Sequence, residues 1–179
     1  MPWKNGLGST AQIAIHPANA KFPDEPFVFR ISSATVSAKN SFSQFPGYDR
    51  WLVVLTGDGL KVNDRLMRPL LPFHFNGEEE ISCDLVKNPV TDLGVIYHRE
   101  HCVAQMKMEI LESQVVLNPQ YDYHYIYCVD GSMYCGALHI DAGDTLFVNN
   151  KDGQLITPLQ GHGQYVHITL RDVPTSSPA

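Results

Sequence analysis

Arg50 stands directly after Asp49 and opens an uninterrupted apolar run, Trp51-Leu52-Val53-Val54-Leu55. A guanidinium at the mouth of a strand that reads as buried needs a partner for its charge. Two partners fit. Asp49 or a backbone carbonyl at the rim would make Arg50 structural, whereas a carboxylate on a bound molecule would make it a clamp. The planar fork of an arginine suits the second role better than a lysine ammonium does. Lys4 and Asn5, in Met1-Pro2-Trp3-Lys4-Asn5-Gly6-Leu7-Gly8, would add one charge and one amide donor. The glycines of that stretch, Gly6 first, let backbone N–H groups approach a ligand closely. The alternative is an exposed terminus, but Trp3 is a poor tail residue and points to a packed segment. The order of residues is not that of a phosphate loop, where the lysine follows the second glycine.

Trp3, Phe42 and Phe45 would wall such a pocket, or else serve as plain core. Arg30 alternates with Phe29 and Ile31, and it either lines the pocket or pairs at the surface. Asp92 and Arg99 read the same way, with Arg99 expected to pair with Glu100 or Asp92. The ligand-binding set expected from these residues is Trp3, Lys4, Asn5, Gly6, Arg30, Phe42, Phe45 and Arg50. No catalytic residue stands out: there is no Gly-x-Ser-x-Gly elbow, and a Cys-His pair cannot be read from sequence alone.

The elements that would position these residues have a period of two. Phe27, Phe29 and Ile31 share one face, opposite Val28 and Arg30. The run after Arg50, closed by Thr56-Gly57-Asp58-Gly59, reads as a strand buried on both faces. Met106, Met108 and Ile110 are expected inward, opposite Gln105, Lys107 and Glu109. Tyr123 to Val129 leads to a turn at Asp130-Gly131, and Ile140-Asp141-Ala142-Gly143-Asp144 forms another before Thr145 to Val148. Val166, Ile168 and Leu170 form a last alternating face. No segment carries a sustained helical stripe, so the fold class is all-β, a sandwich or barrel. The tail from Pro174 to Ala179 is expected to be disordered.

The totals set bounds. A chain of 179 residues can bury an ample core in one domain or two small ones. The net charge of −6 argues against nucleic acid as a partner, since phosphate binding wants a basic face. No stretch is apolar enough to span a membrane and the first residues do not resemble a signal peptide, so a cytoplasmic location is expected. The four cysteines, Cys83, Cys102, Cys128 and Cys135, form no CxxC pair. Cys128 and Cys135 could face each other across a hairpin, although in the cytoplasm they would stay reduced.

Further motifs carry a resemblance. The opening Met1 to Gly6, Phe29-Arg30-Ile31-Ser32, and Phe42-Ser43-Gln44-Phe45-Pro46-Gly47-Tyr48-Asp49-Arg50 resemble the HutD/Ves family. So do Phe75-Asn76-Gly77, Cys83-Asp84-Leu85 and Val90-Thr91-Asp92-Leu93-Gly94-Val95. The chain departs from the family pattern at Leu7, which interrupts a glycine run, and at Leu93-Gly94, where the family carries a Phe-Asn-like pair. The resemblance implies a bicupin, two jelly-roll-like halves, and for the HutD branch a supporting role in histidine utilisation. A faint echo between Arg50–Gly59 and Tyr123–Ser132 agrees with two halves. The expected division is an N-terminal half over 1–118 carrying the site and a C-terminal half over 119–173.

Cupins usually hold a metal through a His-x-His pair, a Glu and a later His. Here Ser43, Phe45 and Tyr48-Asp49-Arg50 occupy the corresponding stretch of the first half, and His124 with Val116 to Asn118 that of the second. Neither supplies three or four ligands, so no cofactor is expected. The reading is a metal-free protein that binds a small carboxylate, with a regulatory or accessory role in histidine or amino-acid metabolism. The alternative is a cupin enzyme, of isomerase or hydrolase type, acting on a small polar metabolite. An interaction module pairing through an exposed sheet edge is a third, and a homodimer is left open. A pocket that holds Arg50 without a group poised for proton transfer would favour the binder. A second titratable group facing Arg50 would favour the enzyme.

Overall fold

The computed structural model describes residues 8–151 and 157–174, and every regular element among them is a strand. Trp3, Lys4, Asn5 and Gly6 lie outside the described residues, as does the tail from Thr175. The chain divides into two compact units, Met1–Cys102 and Val103–Ala179.

In the first unit β1 (Gly8–His16), β2 (Phe29–Val36), β9 (Val90–His98), β4 (Tyr48–Thr56) and β7 (Phe73–Asn76) form one antiparallel sheet in that order. A second sheet takes β3 (Asn40–Ser41), β8 (Ser82–Leu85), β5 (Leu60–Val62) and β6 (Arg65–Met67). Val36, Leu52, Val54 and Val90 of the first sheet pack with Leu60, Val62, Met67 and Cys83 around one core. Val53 and Val54 are both fully buried, as the two-sided apolar run of β4 predicts. Side chains alternate across a strand. The register therefore places Arg30, Ser32 and Ala34 of β2, Ile96, Gly94 and Asp92 of β9, and Arg50, Leu52 and Val54 of β4 on one face. Val36 and Val90 continue that face into the core.

The second unit is built from β10 (Cys102–Leu111), β14 (Leu159–Asp172), β11 (Tyr123–Cys135) and β12 (Leu138–Asp141), with β13 (Thr145–Asn149) also on β11. Ile126, Cys128, Met133, Leu146 and Tyr165 form its core.

Three sequence expectations are corrected here. Asp130-Gly131 is not a turn but an irregularity inside the 13-residue strand β11, whose register with β14 shifts between Cys128 and Asp130. Glycine permits this: Gly131 has φ +89°, and a Cβ on its partner Gly163 would overlap the Asp130 carbonyl oxygen. Cys128 and Cys135 consequently lie on the same strand rather than across a hairpin, and all four cysteines are free thiols. In β10 the alternation holds through Met106 and then slips, so that Leu111 is buried and Ile110 is 62% exposed.

Candidate functional site

The inner face of the first sheet is apolar where the second sheet covers it. Beyond that cover it becomes polar and opens into a cavity of about 800 Å³. Its walls include Arg30, Phe42, Phe45 and Arg50, the four described members of the expected set. Strand register explains the convergence: Arg30 of β2 and Arg50 of β4 both oppose Ile96 of β9, one from each side. Gly94 opposes Ser32 and Leu52. It leaves the floor open, because a Cβ there would press to 3.2 Å from Leu52 Cδ1.

Arg50 is held among aromatic rings. Its guanidinium carbon lies 5.0 Å from the ring centres of Phe42 and Phe75 and 5.7 Å from that of Phe45. These faces attract a cation without consuming its hydrogen-bond donors. Nη1 donates to the Ser43 carbonyl at 3.2 Å, and no carboxylate among the described residues forms an ion pair with Arg50. Burial lowers the Arg50 pKa to about 10; the Asp92 charge opposes that shift and Arg30 adds to it. Arg50 is therefore still a cation at neutral pH.

Arg30 is 9% exposed, so it is a cavity residue rather than a surface one. It donates from Nε to Gln12 Oε1 at 2.9 Å and from Nη1 to Ser32 Oγ at 3.2 Å, and it lies 4.0 Å over the Phe22 ring. Burial lowers its pKa too. Both arginines thus use neutral partners, and both remain positive in the cavity.

Asp92 is the acid of this cavity. It is 5% exposed, and burial pushes its carboxyl up to about 7, against the opposing effects of the Ala34 backbone N–H and the Arg50 charge. A carboxyl tuned to neutrality can bind or release a proton under ordinary conditions. Sequence reasoning treats Asp92 as an ordinary pairing group and misses this role. The available signal is that Asp92 carries the one formal charge in the apolar stretch 90–97 of the sequence. Gln12, Ser32 and Phe22 also line the cavity; of these, Ser32 leaves a trace in the sequence, two places from Arg30 and so on the same face of a core strand.

The expected Arg99 pairing is corrected. Arg99 bridges Asp49 at 2.9 Å and Glu78 at 2.7 Å and also donates to the Tyr48 carbonyl, rather than reaching Glu100 or Asp92. That contact holds Glu78 down to about 2. Glu78 in turn accepts from the Gly47 N–H at 2.7 Å, fastening the loop that delivers Phe45 and Arg50.

The second unit holds a histidine pair, His124 fully buried and His167 half-buried. His124 Nδ1 and His167 Nε2 are 3.0 Å apart, a distance at which one ring donates and the other accepts. Burial, then the other imidazole and Lys107, bring His167 down to about 4; burial also lowers His124. Among the described residues no group of three or more His, Cys, Asp or Glu converges as a metal site. The donor chemistry fits poorly as well: the first cavity presents arginines, and the second core presents two histidines near a lysine. Nor is any helix among the described residues long and apolar enough to cross a membrane.

The HutD family model matches residues 1–167. An uncharacterized 21.2 kDa protein from the hutC 3′ region of Pseudomonas putida is 37% identical over 112 residues, 60% of this chain. That match spans only 57% of the P. putida protein. The structure of HutD from Pseudomonas fluorescens SBW25, in a formate condition, superposes with a TM-score of 0.82 at 29% identity, covering 97% of this chain and 94% of that one. A cupin 2 conserved barrel protein from Leptotrichia buccalis gives a TM-score of 0.59 at 9% identity, covering 97% of this chain and 92% of that one, a likeness of fold alone. The fold is all-β and cupin-like, and the chain belongs to the HutD family.

Proposed function

We propose that this chain binds a small carboxylate in the cavity of its first unit, with Arg50 as the clamp. The observation that carries this reading is a half-buried guanidinium, walled by Phe42, Phe45 and Phe75, with no ion-pair partner among the described residues. Such a charge is costly to leave uncompensated, and a ligand carboxylate compensates it with paired, charge-assisted hydrogen bonds. Apolar walls strengthen those bonds by excluding water. The two units correspond to two cupin-like halves, and the binding step uses no metal. Its output is regulatory or accessory to histidine or amino-acid metabolism, in keeping with the HutD family and a relative from a hutC 3′ region.

A second reading has its own support. Asp92 is a titratable group in the same cavity as Arg50, which suits proton transfer on a bound substrate and hence an enzyme of isomerase or hydrolase type. A thermal-shift series on chelator-treated protein tests the binder. Formate, acetate and butanoate are expected to raise the melting temperature where the matching amides do not. Equal shifts for acids and amides would remove the carboxylate reading. Turnover of a stabilising acid would move the assignment to the enzyme.

A further inference from the structure

The cavity holds two charges of opposite sign that do not neutralise each other by contact. Arg50 lacks an ion-pair partner among the described residues, and so does Asp92. Their strand positions separate them: Arg50 lies opposite Ile96, and Asp92 is two same-face steps further along β9. At about 3.3 Å per residue that is roughly 13 Å between backbone positions, which the long arginine side chain partly spans. Every other charged residue of the described lining, Lys21, Arg30 and Arg50, is a cation. The residues level with Asp92 across the sheet are neutral: Ala34 and then Thr10 on one side, Val54 on the other.

A buried carboxylate fixed by one backbone N–H still has lone pairs to satisfy, and a ligand can supply the donor. The geometry points to a ligand that is bipolar: a carboxylate held at Arg50, joined through a short apolar chain to an N–H or ammonium donor received by Asp92. This rests on the carboxylate reading of the Arg50 end and adds a second recognition point. It explains why a protein that collects cations around an anion site retains one acid inside it. A plain carboxylate would face repulsion from Asp92; a bipolar molecule satisfies both ends. With the bipolar ligand bound, Asp92 is held ionised. The titratable groups near it are Arg50 on β4 and Cys83 on β8, and Cys83 stays neutral because burial raises its thiol to about 12.

Two homologous series read the distance between the ends. Unbranched ω-amino carboxylates from glycine to 6-aminohexanoate are compared by calorimetry with alkyl carboxylates of equal length. At one preferred length the amino acid is expected to bind about tenfold or more tighter than its alkyl counterpart, the worth of a charge-assisted hydrogen bond. In Asp92→Asn the gain is expected to vanish, and the alkyl acids, relieved of a nearby anion, to bind more tightly. Titrations of the wild type at pH 7 in buffers of different ionisation enthalpy add a readout that needs no variant. Binding of the preferred amino acid should release protons as Asp92 becomes fully ionised. Alkyl acids that bind as tightly as amino acids at every length would overturn the bipolar ligand and leave the Arg50 clamp standing. Binding of neither series would overturn both.

Discussion

Asp49 gives its carboxylate to Arg99, at 2.9 Å, and not to its chain neighbour Arg50. Adjacent residues on a strand point to opposite faces, so Asp49 is directed away from the cavity that Arg50 enters. Arg99 then engages Glu78 as well, and these ion pairs are made without Arg50, whose own bond to the loop before β4 is to the neutral Ser43 carbonyl. The guanidinium left over is the charge on which the proposed anion site rests.

Asp92 should make stability fall as pH rises. Its folded pKa of about 7 lies above the ordinary carboxyl value, so the folded state holds a proton that the unfolded chain gives up. Stability from this group is complete below about pH 4 and is lost as pH rises towards 7. Asp92→Asn is therefore expected to melt above the wild type at pH 8, with the difference shrinking to nothing by pH 4. Thermal denaturation across that range checks it. A difference independent of pH would mean the carboxyl is not strained in the fold.

The histidine pair has the opposite sign. Burial holds His167 at about 4, below its ordinary value, so the folded state keeps it neutral. Its contribution is present above about pH 6.5 and is lost as pH falls towards 4. His167→Gln, which cannot gain the charge, is expected to show a smaller loss of melting temperature between pH 6.5 and 4 than the wild type does. Equal losses would place the acid sensitivity elsewhere.

Much of this was legible in the sequence, and the reasons differ by residue. Period-two patterning identified an all-β chain, and the run after Arg50 identified β4 because a strand covered on both faces has no polar alternation. Arg30, Phe42, Phe45 and Arg50 were readable as cavity residues because charge and aromatic rings stood beside core strands. Asp92 was not: its raised pKa comes from burial, set against the lowering effects of groups on β2 and β4, and burial of a single side chain depends on strands far off in sequence. The continuity of β11 was hidden for a related reason. Asp-Gly is a turn signal locally, and only its pairing with Gly163 on β14 turns it into a bend.

Gly163→Ala tests that bend. At φ +140° an L side chain is strained, and its Cβ would overlap the Asp130 carbonyl oxygen on the paired strand. A loss of about 2 kcal/mol or more is expected in denaturant titration, well above an ordinary surface change. Gly143→Ala, at φ +96° with open space around it, should cost less. Equal effects would show that backbone angle alone matters and that the close strand approach does not.

The most direct measurement of the proposed carboxylate site is calorimetric titration of one carboxylate, chosen as the strongest stabiliser in the thermal-shift series, into folded wild type, Arg50→Lys and Arg50→Ala. Lysine keeps the charge but loses the planar fork. Both variants are expected to lose about ten- to a hundredfold in affinity, the worth of roughly 1.5–3 kcal/mol of charge-assisted hydrogen bonding. Far-ultraviolet circular dichroism of each variant confirms that the fold is intact. Wild-type affinity in a folded Arg50→Ala protein would contradict the clamp and place the site elsewhere.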